Sequence, residues 1–449
     1  MNNPDTSGET GTIQQFYEAL LQSAAYSAKN LTLFQDNVLK DFLPFIAKNV
    51  PFYRKRLAPV FRADGSYNPE NWSKLPIVTA SELRNCPESF RPTELPVSHG
   101  AVARYVSSGS TGKATAFYRS ALSEVAQNAA HYRHYRAFNI DPQRNLAMIR
   151  AFDTALARSR PVPVDRSKVP WAAEWFAGGP PGITHRLSIF TPVAKQIEWL
   201  RGLGDIYLNT FPSNALAIAR YVARYPATRP RLLAILAVRE PLAEEVRSQC
   251  AEHLKCPCID FYSSAECGAI ASECPVGTVL HVQSELCRVE ILGRNNKPVQ
   301  QGEWGRLVAT PLYNFAMPLI RYDTGDLVRT AAPCKCGRSH LAIERGIGRP
   351  SNLFHLPHRN WFRPEIDSAT MEELLGHSRW QLVQTGALSF ELNYVANSAS
   401  AEIDIRSVRG LLKKALGSTG STRINQVAAL GPAASGKFPI TLNRYRHQV

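Results

Sequence analysis

Tyr105-Val106-Ser107-Ser108-Gly109-Ser110-Thr111-Gly112-Lys113-Ala114-Thr115 is the segment on which the reading of this chain turns. A β-prone lead-in runs into hydroxyls that alternate with glycines, and a lysine follows. Glycines carry no Cβ, so backbone can come close to an anion. Successive N–H groups and hydroxyls donate to phosphate oxygens, and Lys113 adds a mobile positive charge. The spacing is not G-x4-G-K-[ST]: the glycines stand too close together, and Ala114 takes the place of the magnesium-binding hydroxyl. The plain alternative is a flexible Ser/Gly turn, so the rest of the chain has to choose.

The chain has 449 residues, 44% hydrophobic, with 7 Trp, 16 Tyr and 19 Phe, enough for two or three packed domains. No apolar run reaches the length of a bilayer span. Met1-Asn2-Asn3-Pro4-Asp5 lacks the basic start and apolar stretch of a secretory signal. Nine cysteines, an odd count, fit a reducing compartment, and the expected location is cytoplasmic. The formal charge of +15, from 52 Lys+Arg against 37 Asp+Glu, is scattered along the chain. No zinc-finger, RRM or homeodomain signature accompanies it. The expectation is a basic enzyme handling phosphates, with no nucleic acid and no membrane span.

Apolar positions at helical spacing predict two helices over residues 12–47. A helix over 121–137 carries His131 and His134 among aromatics, where packed histidines are the ordinary case. Residues 145–151 and 232–238 read as buried strands, the latter followed by a helix from Glu240-Pro241 to about 254, and then by a strand over 258–262. Strand–helix–strand of this length implies a parallel sheet with ligands beyond its carboxyl ends, which puts 237–240 and 262–266 at one rim. Residues 156–182 form an excursion whose Trp171, Trp175 and Phe176 either line an apolar pocket or anchor a loop. After Gly348-Arg349-Pro350 about a hundred residues remain, with the element mix of a small α+β domain. Near their end Ser435-Gly436-Lys437 presents one lysine on a turn.

Each motif is modest alone; their order is not. A Ser/Thr/Gly loop is followed by Tyr262-Ser263-Ser264-Ala265-Glu266, then Arg321-Tyr322-Asp323-Thr324-Gly325-Asp326, then Gly348-Arg349, then Ser435-Gly436-Lys437. This resembles the adenylate-forming acyl-CoA ligase superfamily. Pro51-Phe52-Tyr53, Met317-Pro318-Leu319-Ile320-Arg321-Tyr322 and Cys334-Lys335-Cys336-Gly337-Arg338 resemble its phenylacetate–CoA ligase and CapK-like branch. The resemblance implies an α/β chain. A large N-terminal domain, 1–348, has mixed and parallel sheets flanked by helices; a small mobile α+β lid, 349–449, carries the catalytic lysine.

The implied reaction is attack of a carboxylate on the α-phosphate of ATP, giving acyl-AMP and pyrophosphate, then transfer to CoA. The ATP loop is then Ser107, Ser108, Gly109, Ser110, Thr111, Gly112 and Lys113. Glu266 holds Mg2+, a hard ligand for a hard ion. Tyr262 walls the adenine, and the backbone from Ala237 to Glu240 edges it. Asp326 accepts from the ribose hydroxyls, Arg349 reaches ribose or phosphate, and Lys437 offsets the charge that builds during adenylation. Cys274, His281, Cys334 and Cys336 offer three thiolates and an imidazole, a closed set for structural Zn2+; Cys256, Cys258, Cys267 and Cys287 read as buried thiols. An ordinary turn aspartate, a solvated glutamate and an exposed lysine are the plain alternatives for Asp326, Glu266 and Lys437.

Ser263, Ala265 and Asn352 depart from the family's usual residues. They leave open transfer to an amine, a hydroxyl or a carrier-protein thiol, and also a non-catalytic binding homologue. The small-molecule carboxylic acid is unspecified; Trp171, Trp175, Phe176, Phe211 and Ile270 are the candidates for its pocket. A homodimer is a further open option.

Overall fold

A computed structural model describes residues 6–107, 115–151, 169–277, 279–293, 295–348, 353–357, 359–362, 364, 366, 368–376, 379–395, 403–417, 420–430 and 440–445. The chain divides into two units: Met1–Thr324 with Val328–Arg345, and Gly325–Leu327 with Gly346–Val449.

The larger unit opens with helices Thr6–Ser23 and Ala28–Asn49, the pair expected from the spacing. Ser27 caps the second, its Oγ accepting from the Asn30 N–H at 3.2 Å. That helix buries Leu39, Phe42, Leu43 and Ile46 in the main core. The same core ties two of the quoted motifs together: Tyr53 is buried, and its hydroxyl oxygen accepts from the Ile320 N–H at 2.9 Å. Arg321 is likewise structural. Its Nε and Nη2 each lie 2.9 Å from the Glu290 carboxylate, and its Nη1 donates to the Ser73 and Leu75 carbonyls.

Strands β1 (Val102–Ser107) and β2 (Thr115–Ser120) form an antiparallel hairpin. In chain order the next are β3 (Leu146–Arg150), β4 (Val169–Pro170), β5 (Ile183–Ser188), β6 (Ile206–Thr210), β7 (Leu232–Ala237), β8 (Cys258–Ser264), β9 (Gly268–Glu273), β10 (Leu280–Val282), β11 (Cys287–Leu292), β12 (Trp304–Pro311), β13 (Tyr322–Thr330) and β14 (Ala342–Gly348). Among the described residues these twelve make one sheet, ordered β11-β12-β13-β14-β10-β9-β8-β7-β6-β3-β5-β4. Its centre, β5-β3-β6-β7-β8, is parallel, whereas β8–β9–β10 is antiparallel.

β7 shows why this sequence makes a buried strand. It reads Leu-Leu-Ala-Ile-Leu-Ala, apolar throughout, as a parallel strand covered on both faces requires. Ile235 joins the core under helix Pro212–Arg224, while Ala234 and Leu236 join the opposite one with Leu146, Tyr207 and Ile259. The helix expected from Glu240 starts later, at Glu244, and ends in a π turn at Cys250–Leu254. The reason is local. Arg239 has φ +67, and the Glu240 carboxylate accepts from the Ser213 N–H at 3.0 Å, at the head of the neighbouring helix.

In the smaller unit, β15 (Phe354–Leu356) and β16 (Arg359–Phe362) form a hairpin. β17 (Arg379–Gly386), β18 (Ser389–Val395), β19 (Ser421–Gln426) and β20 (Thr441–Asn443) form a sheet ordered β19-β18-β17-β20. Helices Ser368–Leu374 and Ile405–Leu416 accompany it. Trp380, Leu382, Phe390, Leu392, Val408 and Leu412 fill its core. The fold is the α/β plus smaller α+β arrangement read from the sequence.

Candidate functional site

Ala237, the last residue of β7, pairs in parallel with Asp260, and β8 runs on from there through Tyr262 to Ser264. Tyr262 is buried in β8. Beyond it the β8–β9 hairpin turns through Ala265, Glu266 and Cys267. The Cys267 N–H donates to Ser264 Oγ at 2.9 Å, so that hydroxyl oxygen helps to hold the turn. Gly268 closes the turn at φ +74, where an added Cβ would come within 3.0 Å of Gln127 Oε1. Glu266 is half-buried at the tip.

The turn is held by a residue that the sequence reading passed over. Arg119 of β2 donates to the Ala265 carbonyl at 2.6 Å and the Ser264 carbonyl at 3.3 Å. Its other nitrogen reaches Glu124 Oε1 at 3.2 Å and Gln127 Oε1 at 3.0 Å. Its guanidinium carbon lies 5.3 Å from the centroid of the Tyr105 ring. The alternation Phe117-x-Arg119, directly after the Ser/Gly/Lys loop, is the signal that could have found it. Arg239 is drawn into the same field: desolvation lowers its pKa, with Arg119 adding to the shift and Glu266 opposing it.

Ser107 and Thr115 pair across the β1–β2 hairpin, so the loop between them leaves the sheet at one point. Ser108, Gly109, Ser110, Thr111, Gly112 and Lys113 lie outside the described residues, as do Arg349, Asn352 and Lys437. Asp326 lies on β13, half-buried, within the part of that strand that groups with the smaller unit.

Cys274, His281, Cys334 and Cys336 converge although their strands are distant in sequence. Their donor atoms all lie within 4.8 Å of one another. Cys274 follows β9, His281 sits in β10, and the two remaining cysteines occupy the β13–β14 connection. Cys334 Sγ and Cys274 Sγ are 3.7 Å apart, and Cys336 Sγ lies 3.2 Å from His281 Nε2. Two thiolates on one tetrahedral zinc stand about 3.8 Å apart, given Zn–S near 2.3 Å, so the donor set and its spacing fit the ion. Burial pushes the His281 pKa down to about 4, leaving the neutral ring that ligation needs. Cys256, Cys258, Cys267 and Cys287 are buried free thiols.

A cavity of about 270 Å3 opens between helix Ala121–Ala137 and the ends of β3, β5, β6, β7 and β8. Trp171 lines it. Trp175 and Phe176 instead pack against Tyr17 and Tyr132, and Ile270 is in the main core, so these three do not line this cavity. Phe211 is fully buried and also does not line it. His131 lies over Phe261 with ring centroids 4.3 Å apart, and His134 over the same ring at 5.2 Å. Burial lowers their pKa values to about 4 and about 3, so both are neutral at pH 7.

No family model matches the chain. The phenylacetate–coenzyme A ligase of Thermus thermophilus is 23% identical over 377 residues, covering 80% of each chain. That of Escherichia coli is 24% identical over 385 residues, covering 81% of each. Among solved structures, 2-hydroxyisobutyryl-CoA ligase in the postadenylation state with R3-HIB-AMP superposes with a TM-score of 0.68 at 18% identity, over 95% of this chain and 92% of that one. The anthranilate CoA ligase AuaEII with anthranoyl-AMP gives 0.50 at 14% identity, over 78% and 67%. The architecture is that of an adenylate-forming ligase. In sequence the chain is similar to the phenylacetate–CoA ligases along four-fifths of its length.

Proposed function

We propose that the protein activates a small carboxylic acid with ATP, releasing pyrophosphate, and passes the acyl group from acyl-AMP to CoA. The observation that carries this is the end of β7 beside β8, with Tyr262 buried two residues further along β8 and the turn that bears Glu266 held by Arg119, in a chain with this fold. Adenylation needs charge stabilisation and alignment rather than covalent help. Ser107, Ser108, Gly109, Ser110, Thr111, Gly112 and Lys113 supply donors for the terminal phosphates. Tyr262 gives a flat wall for the base beside the backbone of Ala237 to Glu240. Asp326 takes the ribose hydroxyls, and Arg349 the ribose or phosphate side. Magnesium, when bound, neutralises phosphate charge, and Glu266 is the residue that would hold it. Lys437, brought by the C-terminal domain (349–449), meets the negative charge that grows between carboxylate and α-phosphate.

The test is acid-dependent exchange of labelled pyrophosphate into ATP, followed by addition of CoA. Exchange with thioester formation is the expected result. Exchange without thioester moves the acceptor to an amine, a hydroxyl or a carrier thiol, and no exchange with any acid rejects the reading. Lys437→Ala should suppress exchange far more than transfer from preformed acyl-AMP; equal loss in both half-reactions refutes its role.

Cys274, His281, Cys334 and Cys336 would hold one structural zinc, which joins β9, β10 and the β13–β14 connection and takes no part in the chemistry. Metal analysis of the purified protein should return about one zinc per chain, and Cys336→Ala should lose it along with several degrees of melting temperature. No helix among the described residues is long and apolar enough to cross a membrane.

A further inference from the structure

The cavity beside helix Ala121–Ala137 carries a charge that adenylation alone does not use. Arg150, the last residue of β3, and Arg186 of β5 line it, and no aspartate or glutamate is among its described lining residues. Arg150 Nε donates to Oδ1 of Asn209, a neutral partner on β6, at 2.5 Å. Its two terminal nitrogens have no hydrogen-bond partner among the described residues. A guanidinium presents those nitrogens as a planar fork that matches a carboxylate.

We propose that this cavity holds the acid and that Arg150 receives a second carboxylate at its far end, so that the substrate class is a dicarboxylic acid with a short apolar or aromatic spacer. This rests on the adenylation reading for the end that reacts. Trp171, Tyr135 and Phe261 give the cavity its flat apolar walls. Its volume of about 270 Å3 is the room of about nine waters, or an acid of roughly a dozen bonded non-hydrogen atoms. β3 stands two strands from β7, so about 10 Å separates the backbone at Arg150 from the rim at Ala237. A benzene ring or a four-carbon chain between two carboxylates suits that interval. Desolvation, then the like charges of Arg239 and Arg186, pull the Arg150 pKa from 12.5 down to about 10. An arginine stays protonated nonetheless, and a monoacid with a plain apolar tail would leave this charge uncompensated.

The experiment compares kcat/KM for pyrophosphate release within pairs that differ by the distal group: phenylacetate against 4-carboxyphenylacetate, and pentanoate against adipate. The wild-type enzyme should favour at least one diacid by about 100-fold or more over its partner. Arg150→Met should bring that ratio close to one, and Arg150→Lys should keep part of it. A wild-type preference for both monoacids overturns the proposal. So does an Arg150→Met loss that falls equally on both members of each pair, since the arginine would then serve the reacting end. Calorimetry without ATP separates this from the function itself. Diacid binding that Arg150→Met weakens about tenfold or more, with no acid supporting exchange, rejects adenylation and keeps the diacid site. Exchange with monoacids and no diacid binding does the reverse.

Discussion

Arg133 is a buried arginine of the larger unit and Arg150 a half-buried one, and the protein treats them in opposite ways. Arg133, in helix Ala121–Ala137, is enclosed by acceptors. It donates to Glu285 Oε1 at 2.7 Å and Oε2 at 3.2 Å, to the Leu20 carbonyl at 2.8 Å, and to Gln283. Glu285 in turn accepts from Ser23 Oγ at 2.5 Å and lies 3.0 Å from His340 Nε2. Among the described residues Arg150 has one hydrogen-bond partner, the neutral Asn209, and a cavity in front of it. A buried charge that the chain closes with its own carboxylate is part of the scaffold. A half-buried guanidinium that faces a cavity is kept for something that arrives.

The contrast breaks first at Arg133. Arg133→Ala leaves Glu285 charged and buried without its main partner, and should cost about 3–5 kcal/mol of stability in denaturant unfolding. Its effect on the choice between monoacid and diacid should be nil in whatever fraction remains folded. A loss below about 1 kcal/mol would show that the closed network is not structural.

Acid titration sharpens the same point. Despite the desolvation that raises it, Arg133 and His340 hold the Glu285 carboxyl well below the usual range. Its contribution is therefore present above the ordinary carboxylate pKa, about 4.3, and lost as pH falls below that. His131 and His134 are depressed by burial to about 4 and about 3, so they favour the fold above their ordinary value near 6.5. That contribution declines as pH falls from there. Stability should therefore drop in two stages on acidification, and Arg133→Ala should retain the upper stage while losing much of the lower. A wild-type curve flat between pH 6.5 and 4 would contradict the burial of the histidines.

The difference between the two arginines also marks what the sequence could disclose. β7 was legible because six consecutive apolar residues have one stable placement in a sheet of this kind. The C-terminal unit was legible because its alternating and helical periods follow one another cleanly. The four zinc-ligand candidates were found by their chemistry, although 274 and 336 come together only when β9, β10 and the β13–β14 connection are assembled. Arg133 and Arg150 look alike on paper. What separates them is that residue 285, far along the chain, arrives beside one, while among the described residues no acid bonds to the other. Trp171 lines the cavity and Trp175, Phe176, Phe211 and Ile270 do not, because apolar character alone does not say which side of a sheet or helix faces a cavity.

Arg119 stands between those two cases and gives the smallest expected effect. It is paired with Glu124 in the manner of a scaffold residue, yet its other nitrogen holds the carbonyls of Ser264 and Ala265, the two residues before Glu266. A charge-assisted bond of this kind is worth about 1.5–3 kcal/mol, about one to two decades in an equilibrium constant. Arg119→Met should therefore loosen the turn rather than remove the carboxylate. The expected signature is a KM for magnesium-bound ATP raised about tenfold, with kcat within a factor of about three and melting almost unchanged, and partial recovery in Arg119→Lys. If kcat falls with KM unmoved, Arg119 acts on the reacting atoms themselves. If the melting temperature falls and neither kinetic parameter does, it belongs with Arg133 among the residues that only hold the sheet and helix together.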